Sequence, residues 1–275
     1  MLATMHGKER VIAPLLADGM GLHVVPAPGL DTDRFGTFSR EIARTGSQLD
    51  AARAKIAAGF DRVPSARVGI ASEGSFGPHP LLPFLPLGRE VVMLIDRESG
   101  LELIGQDASL GTNYGHAIVT DVASAIAFAE RVRFPEHGVI VMGCVNKQPA
   151  PDHALMKDSV DRNRVEAAVR GAIAACGAGF IEADMRAHRN PTRMRAIERA
   201  TADLVRLFHS RCPACAQPGY DATERVPGLP CGWCGEPTRM IELEVLSCRS
   251  CGHRDERRIA ENATADPGTC AQCNP

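Results

Sequence analysis

The sequence predicts an α/β domain with a mixed sheet over residues 1–210, followed by a small cysteine-rich module over residues 211–275. Before residue 210, apolar strand-like segments alternate with helical ones, and one hairpin interrupts the alternation, which is typical of a mixed sheet. After residue 210, four Cys-x-x-Cys pairs lie within 62 residues. Hydrophobic residues make up 44% of the chain and aromatic residues only 4%, so we expect a core of Ala, Val, Leu and Ile.

Each element has a signal of its own. A continuous apolar run at 138–142 predicts a buried strand, Asp121 suits a helix N-cap, and Pro191 suits the first turn of a helix. Alternating segments around a turn at 97–100 predict a hairpin, and four prolines in 78–88 predict an irregular loop. The expected strands cover residues 2–4, 22–25, 68–71, 90–96, 101–105, 117–120, 138–142, 179–183, 238–247 and 254–259, and the expected helices 9–18, 49–60, 121–132, 154–176 and 191–209.

The overall charge and the apolar runs exclude two classes of protein. A formal net charge of −2 excludes a globally basic nucleic-acid binder. No run of about 18 apolar residues is present, so we expect no transmembrane helix, and the first ten residues lack a secretion signal. We therefore expect a cytoplasmic protein, in which ten reduced cysteines indicate metal binding rather than disulfides.

The four Cys-x-x-Cys pairs predict two structural zinc ions. Each pair forms a tight knuckle with two thiolates, and two facing knuckles complete a tetrahedral site. The ligands are Cys212, Cys215, Cys231, Cys234, Cys248, Cys251, Cys270 and Cys273. We favour sequential pairing, in which the first two knuckles share one zinc and the last two the other, with nested or interleaved pairing as alternatives. Redox use of one pair is a further alternative, and Cys144 and Cys176 are expected in the core.

The charge of the cysteine-rich module bears on its partners. Residues 212–275 contain six arginines and nine acidic residues, a net charge of −3. Each zinc with four thiolates adds about −2. An acidic module attracts phosphate backbones poorly, so we favour a structural cap or a protein-contact module over a nucleic-acid reader.

The first candidate cluster, Thr4-Met5-His6-Gly7-Lys8, lies between an expected strand and an expected helix. This cluster indicates phosphate binding, because a helix start has free N–H groups, a glycine lets an anion approach, and Lys8 adds a positive charge. Thr4 and His6 are further candidate contacts of the phosphate. The P-loop pattern is absent. The alternative is an ordinary Gly-Lys loop.

The second cluster, residues 71–77, directly follows an expected strand. Glu73, flanked by Ser72 and Ser75, could hold Mg²⁺ or a water molecule, and Glu41 is a possible second carboxylate. The alternatives are a tight turn with a solvated Glu73 and an exposed helix face for Glu41.

The third cluster lies between an expected strand and the helix at 191–209. Residues 184–211 contain seven arginines and three acidic residues, a net charge of +4. Arginine makes bidentate contacts with phosphate or a base edge, so we expect ligand binding. Salt bridges to the acidic module are the alternative. The candidate contacts are Asp184, Arg186, His188, Arg189 and Arg193.

The order of these motifs resembles that of a known family. ATMHGKE, GTF, ASEGSFGP with a following hairpin, and AHRNPTR before a helix resemble the inosine/xanthosine triphosphate pyrophosphatases and their Maf-like relatives over about residues 1–205. The resemblance implies an ITPase/Maf-like three-layer domain. It also implies that Lys8 contacts phosphate, that Glu41 and Glu73 hold Mg²⁺, and that His188 and Arg189 contact the purine.

A second resemblance covers the whole chain. MHGKERVI, ASEGSFGPHP, DMRAHRNPTRM and the cysteine-rich tail resemble an uncharacterised bacterial family with a C-terminal zinc ribbon, described only as a domain of unknown function. This resemblance implies no activity.

Three functions follow from these observations. The first is a Mg²⁺-dependent nucleoside triphosphate pyrophosphatase with a structural zinc ribbon. The second is a non-catalytic module that binds a nucleotide or RNA and contacts a protein through the zinc ribbon. The third is a structural or interaction protein in which the arginine cluster neutralises the acidic module.

Overall fold

The structure, a computed structural model, describes residues 1–36 and 46–275. The chain forms two compact units, unit 1 (Met1–Val205) and unit 2 (Arg206–Pro275). Unit 1 combines helices with two β-sheets, and unit 2 contains a third sheet and the cysteine pairs, so the predicted mixed α/β class is confirmed. None of the described helices has the length and apolar character needed to cross a membrane.

The first sheet of unit 1 has the strand order β1-β2-β3-β4. Its strands are β1 (Leu2–Ala3), β2 (Val68–Pro78), β3 (Pro86–Asp96) and β4 (Leu101–Ser109). The β1 and β2 strands are parallel, whereas β2, β3 and β4 form an antiparallel meander, so the sheet is mixed as predicted. Two helices lie between β1 and β2 in the chain, α1 (Glu9–Met20) and α2 (Gln48–Arg62).

The ends of these two helices follow from local chemistry. At the start of α2, the Ser47 hydroxyl accepts from the Asp50 N–H, and the Asp50 carboxylate accepts from the Ser47 N–H, which together form a capping box. At the end of α1, Gly21 adopts a left-handed conformation with φ 64°. The helix therefore continues past Gly19, where the sequence predicts its end.

The second sheet of unit 1 is antiparallel, with the order β5-β9-β6-β7 and with β8 also pairing with β6. Its strands are β5 (His116–Val119), β6 (Val139–Val145), β7 (Gln148–Ala150), β8 (Met156–Ser159) and β9 (Gly179–Ala183). The helices α3 (Val122–Arg131) and α4 (Arg162–Cys176) supply the core that covers it. The last helix, α5 (Pro191–His209), contains the boundary between the units.

The first sheet is covered on both faces. A Cβ on Gly69 would lie 2.5 Å from Ile56 Cγ2 of α2. A Cβ on Gly105 of β4 would overlap the backbone of Ala200 and Leu204 in α5. Helices α2 and α5 therefore pack on opposite faces, because Gly69 and Gly105 belong to opposite side-chain rows of the paired strands.

Unit 2 contains a three-stranded antiparallel sheet of β10 (Asp221–Pro227), β11 (Ile241–Ser247) and β12 (Arg254–Arg258). The order is β10-β11-β12. Asp221 pairs with Ser247 and Ser247 pairs with Arg254, whereas Pro227 pairs with Ile241 at the other end. The sequence predicts β11 and β12 and misses β10.

Most predicted elements of unit 1 are present, and three predictions are wrong. Residues 22–25 form no strand; only Pro26 bridges to Leu2. The helix predicted from residue 154 begins at Arg162, because Ala154 and Asp158 have positive φ and Asp161 caps the helix. The strand expected to end at residue 71 continues to Pro78, because β3 pairs with it throughout.

Candidate functional site

The eight paired cysteines form two groups in unit 2. Site 1 contains Cys212, Cys215, Cys248 and Cys251, and site 2 contains Cys231, Cys234, Cys270 and Cys273. The ligand atoms of each group lie within 4.8 Å of one another. Opposing Sγ atoms are 3.7 Å apart for both pairs of site 1, and 3.8 and 3.7 Å apart in site 2.

These distances match a tetrahedral zinc. Four sulfurs about 2.3 Å from a central Zn²⁺ lie about 3.8 Å from one another. Backbone N–H groups, of Cys234 first and then Trp233, lower the pKa of Cys231 to about 7. The N–H of Cys251 similarly lowers the pKa of Cys248 to about 6. Because four Sγ atoms meet at this spacing in each group, both groups could hold zinc, which supports the predicted ligand types.

The pairing of the knuckles is interleaved, so the favoured sequential pairing is wrong. The first knuckle precedes β10 and the third follows β11, and the Asp221–Ser247 pair places these two chain ends side by side. The second knuckle lies between β10 and β11, and the fourth follows β12, at the opposite end of the sheet. Since a seven-residue strand spans about 23 Å, consecutive knuckles cannot share one metal ion.

Unit 1 contains a buried cluster of five ionisable side chains around the junction of β1 and α1. We define the charged cluster as Lys8, Lys55, Glu73, Glu90 and Arg193, each no more than 7% exposed. It brings together three residues that the sequence singles out, Lys8, Glu73 and Arg193, and two that it does not. Three basic side chains lie with two carboxylates, so the described cluster has an excess of positive charge when Lys8 is protonated.

The two carboxylates of the charged cluster point to opposite faces of the first sheet. Glu73 lies opposite Val91, whereas Glu90 lies opposite Gly74, so their side chains alternate. On the α2 face, Lys55 Nζ forms an ion pair with Glu73 Oε1. On the α5 face, Arg193 Nε donates to Glu90 Oε1 at 2.6 Å. Because Glu73 lies within a strand and is buried, the alternative of a tight turn with a solvated Glu73 is wrong.

Lys8 lies at the junction of these two pairs. Its Nζ donates to the Ser72 carbonyl oxygen at 3.3 Å. Burial, together with the charges of Arg193 and Lys55, lowers the pKa of Lys8 to about 7, although Glu73 and Glu90 oppose the shift. Lys8 can therefore gain or lose a proton near neutral pH. The buried Ser72 hydroxyl has no hydrogen-bond partner among the described residues.

The predicted arginine cluster is organised around two aspartates. Asp184 is fully buried, and its Oδ2 accepts from Arg186 at 2.6 Å. Asp158 accepts from Arg186, His188 and Arg189. Although burial opposes it, the hydrogen bond from Arg186 holds the pKa of Asp158 well below its usual range. Asp184 therefore orients Arg186, which in turn lies against Asp158.

His6 and His188 form a stacked pair. Their ring centroids are 4.8 Å apart and the planes differ by 16°. His6 Nε2 lies 3.1 Å from Asp33 Oδ1, and the hydrogen bond from His6 lowers the pKa of Asp33. Burial lowers the pKa of His188. The first and third sequence clusters thus meet at these two rings.

The remaining predicted residues have varied surroundings. Thr4 is buried, and its hydroxyl donates to the Met5 carbonyl oxygen. Ser75 is exposed on β2. Glu41 lies outside the described residues.

Sequence reasoning missed Lys55, Glu90, Asp33 and Asp158. Lys55 lies between Ala51 and Ile56 on the buried face of α2. A lysine on the apolar face of a helix is a sequence signal for a buried charge. Glu90 opens the apolar run of β3. The sequence predicts a helix over residues 154–161, so it does not indicate Asp158 as a site residue.

The residues present fit Mg²⁺ only in part. Apart from the two cysteine groups, no set of three or more ligand residues comes together in the described ranges 1–36 and 46–275. Glu73 is the candidate carboxylate of the charged cluster, and it already pairs with Lys55. Since Mg²⁺ is often held by one or two carboxylates plus substrate phosphates, Glu73 could hold the ion with bound substrate.

Comparisons with known proteins identify a family but no activity. Neither the curated proteins nor the solved structures contain a match to this chain. A family described as a domain of unknown function, DUF6671, matches residues 59–275. This range includes Glu73, Arg193 and all eight zinc-ligand candidates, and the chain belongs to the DUF6671 family.

Proposed function

We propose that unit 1 binds a nucleoside triphosphate and hydrolyses it to a nucleoside monophosphate and pyrophosphate, with Mg²⁺ bound together with the substrate. The observation that carries this proposal is the charged cluster, in which Lys8, when protonated, brings the number of cations to three against two carboxylates. A buried excess of cations is costly unless an anion balances it. The partial ITPase/Maf resemblance of the sequence adds the triphosphate as the anion.

The proposed roles follow from position. Lys8, at the strand–helix junction, contacts a phosphate, and its pKa near 7 lets it donate or accept a proton at neutral pH. The unpartnered Ser72 hydroxyl offers a further phosphate contact. Glu73 holds Mg²⁺ and Arg193 stabilises phosphate charge.

The reaction is an in-line displacement at the α-phosphorus. Water oxygen bonds to the α-phosphorus while the bond to the α–β bridging oxygen breaks, and pyrophosphate leaves with the electron pair. One water proton is released to solvent. Mg²⁺, when bound, neutralises charge on the phosphate oxygens.

The test is pyrophosphate release by the zinc-loaded chain with Mg²⁺, across ordinary and deaminated nucleoside triphosphates. Lys8→Met is expected to lower kcat/KM at least about a hundredfold, because a phosphate-contacting charge is lost. Glu73→Gln is expected to lose Mg²⁺-dependent turnover. Lys147→Met and Glu130→Gln are matched controls, because Lys147 and Glu130 are exposed.

Thermal unfolding of each variant keeps this test interpretable. Lys8→Met removes a buried charge and is expected to fold, so its lost activity would reflect chemistry. Full turnover in folded Lys8→Met, or no turnover with any triphosphate in the wild type, would contradict the pyrophosphatase proposal.

A non-catalytic binder is the second candidate, and one observation favours it. The Glu73 carboxylate is paired with Lys55, and no described ligand set joins it to complete a metal site. In this case the charged cluster binds a nucleotide or RNA without turnover. Calorimetric binding of a triphosphate with no pyrophosphate release would identify it.

A protein partner for unit 2 remains a proposal. The Trp233 side chain lies in the second knuckle and the residue is 80% exposed. Exposed tryptophan is enriched at protein contacts, whereas the net charge of −3 over residues 212–275 disfavours nucleic acid.

A further inference from the structure

An open cavity of about 620 Å³ lies between the first turns of α1 and α5 in unit 1. We call this cavity the α1–α5 groove. It does not include any of the five side chains of the charged cluster. Its described lining residues are His6, Gly7, Arg10, Val11, Ala187, His188, Pro191, Met194, Arg195 and Glu198.

Two guanidinium groups of the α1–α5 groove have no carboxylate partner in the described part of the chain. Arg10 makes no side-chain hydrogen bond or ion pair there, and Arg195 donates only to the Thr192 hydroxyl at 3.2 Å. Several other arginines of unit 1 are paired with carboxylates, as Arg199 is with Asp107. Glu198 is the one carboxylate among the described lining residues, so the two arginines give the groove an excess of positive charge.

The stacked histidines supply polar edges to the same groove. Each ring directs Nε2 at a carboxylate, His6 at Asp33 and His188 at Asp158. Each Nδ1 has no partner among the described residues. Because Nε2 of each ring donates to an aspartate, Nδ1 of the neutral ring is unprotonated and can accept a hydrogen bond from a donor group of a ligand.

The rest of the lining is apolar. Val11, Ala187, Pro191 and Met194 present no hydrogen-bonding side-chain group. A stacked imidazole pair also offers a flat face that can extend the stack with a third ring. The groove therefore suits a ligand with an anionic end and a flat apolar body.

We propose that the α1–α5 groove binds a small organic phosphate that carries an aromatic ring, at a site separate from the charged cluster. Arg10 and Arg195 bind the phosphate through paired N–H groups. The ring lies against Met194, Pro191 and the histidine pair. None of the five side chains of the charged cluster lines the groove, so this site is tested separately from the pyrophosphatase proposal.

Phenyl phosphate is the probe, since it contains one ring and one phosphomonoester. In ¹H–¹⁵N spectra of the zinc-loaded full chain, the amides of Gly7, Ala187 and Met194 are expected to shift and saturate. Arg10→Gln/Arg195→Gln is expected to weaken binding at least about tenfold, because two charge-assisted contacts are lost. Inorganic phosphate and phenol are each expected to bind at least about tenfold more weakly than phenyl phosphate, because each lacks one half of the ligand.

Two further variants decide where the probe binds. Arg62→Gln/Arg164→Gln changes the charge equally at exposed helix positions, and is expected to keep wild-type affinity. Lys8→Met is expected to keep it too. Loss of binding in Lys8→Met with retention in Arg10→Gln/Arg195→Gln would assign the probe to the charged cluster and overturn the groove site. Equal weakening in both arginine pairs, or no saturable shift, would also overturn it.

Discussion

Unit 1 and unit 2 are held together by different forces. In unit 1, apolar side chains such as Phe128, Val141 and Ile181 are almost completely buried in a core between sheet and helices. In unit 2, much of the buried set consists of metal-ligand cysteines, and the described apolar core cluster is Tyr220 with Cys212 and Cys248. A domain of that size with so little apolar burial depends on another source of stability.

The surface of unit 2 offers little compensation. All five residues of β12 are exposed, and its arginines pair with exposed or half-buried glutamates, as Arg257 does with Glu244 at 2.8 Å. Exposed ion pairs contribute about 0–1 kcal/mol each. Zinc ions held by the two cysteine groups would therefore be the main stabilising interaction of unit 2, whereas unit 1 depends on burial.

Zinc removal is the largest expected effect. A structural zinc contributes about 10–16 kcal/mol of apparent folding free energy in small modules, so a strong chelator is expected to unfold unit 2. Hydrogen exchange would show lost protection in β10, β11 and β12, with β6 and β9 still protected. Metal analysis is expected to give two zinc ions per chain, and protected strands in unit 2 after complete removal would contradict the comparison.

Double cysteine variants sharpen the comparison within unit 2. Cys212→Ser/Cys248→Ser damages site 1 alone and is expected to leave one zinc ion per chain. Cys212→Ser/Cys231→Ser damages both sites and is expected to leave none. Metal content and the folding of β10 to β12 check this, and sequential pairing would give the reverse result.

Glu90→Gln tests the buried charges of unit 1. Removing the carboxylate that faces the buried Arg193 guanidinium is expected to lower the free energy of unfolding by about 3 kcal/mol. Glu130→Gln, at an exposed pair with Arg162, is expected to change it by less than about 1 kcal/mol. Denaturant unfolding measures both, and equal effects would show that burial of the Arg193–Glu90 pair is unimportant.

Lys8 gives unit 1 a pH-dependent stability above neutral pH. Its pKa is about 7 in the fold and near 10.5 in the unfolded chain, so between these values the unfolded state binds more protons. Stability is then expected to rise with pH in this window, by up to about 1.4 kcal/mol per pH unit. Comparison with Lys8→Met isolates the contribution, and identical slopes for both proteins would contradict it.

The sequence predicted best where one local signal decides the structure. The hairpin of β3 and β4, the capped α3 and the full span of α5 have strong signals in alternation, Asp121 and Pro191. The eight cysteine ligands are equally local. The coarse α/β class and the eight candidate metal ligands therefore followed from residue patterns, although the grouping of the ligands did not, and the family followed from the whole chain.

The failures concern structure that forms between distant segments. Knuckle pairing depends on the register of β10 with β11, which no single knuckle reveals. Glu90 and Lys55 join Lys8 and Glu73 only through the first sheet and α2. The strand at Met156–Ser159 depends on pairing with β6 rather than on its own sequence, MKDS.

The crossed connection of the knuckles also sets the order of events during synthesis. As the chain leaves the ribosome, Cys212, Cys215, Cys231 and Cys234 emerge first, yet they belong to two different sites. No site has all four ligands before Cys251 emerges, and the second must wait for Cys273. The first four thiols therefore have no complete site while β11 is being synthesised, and a fully coordinated metal ion in either site requires that β10 and β11 have both been made.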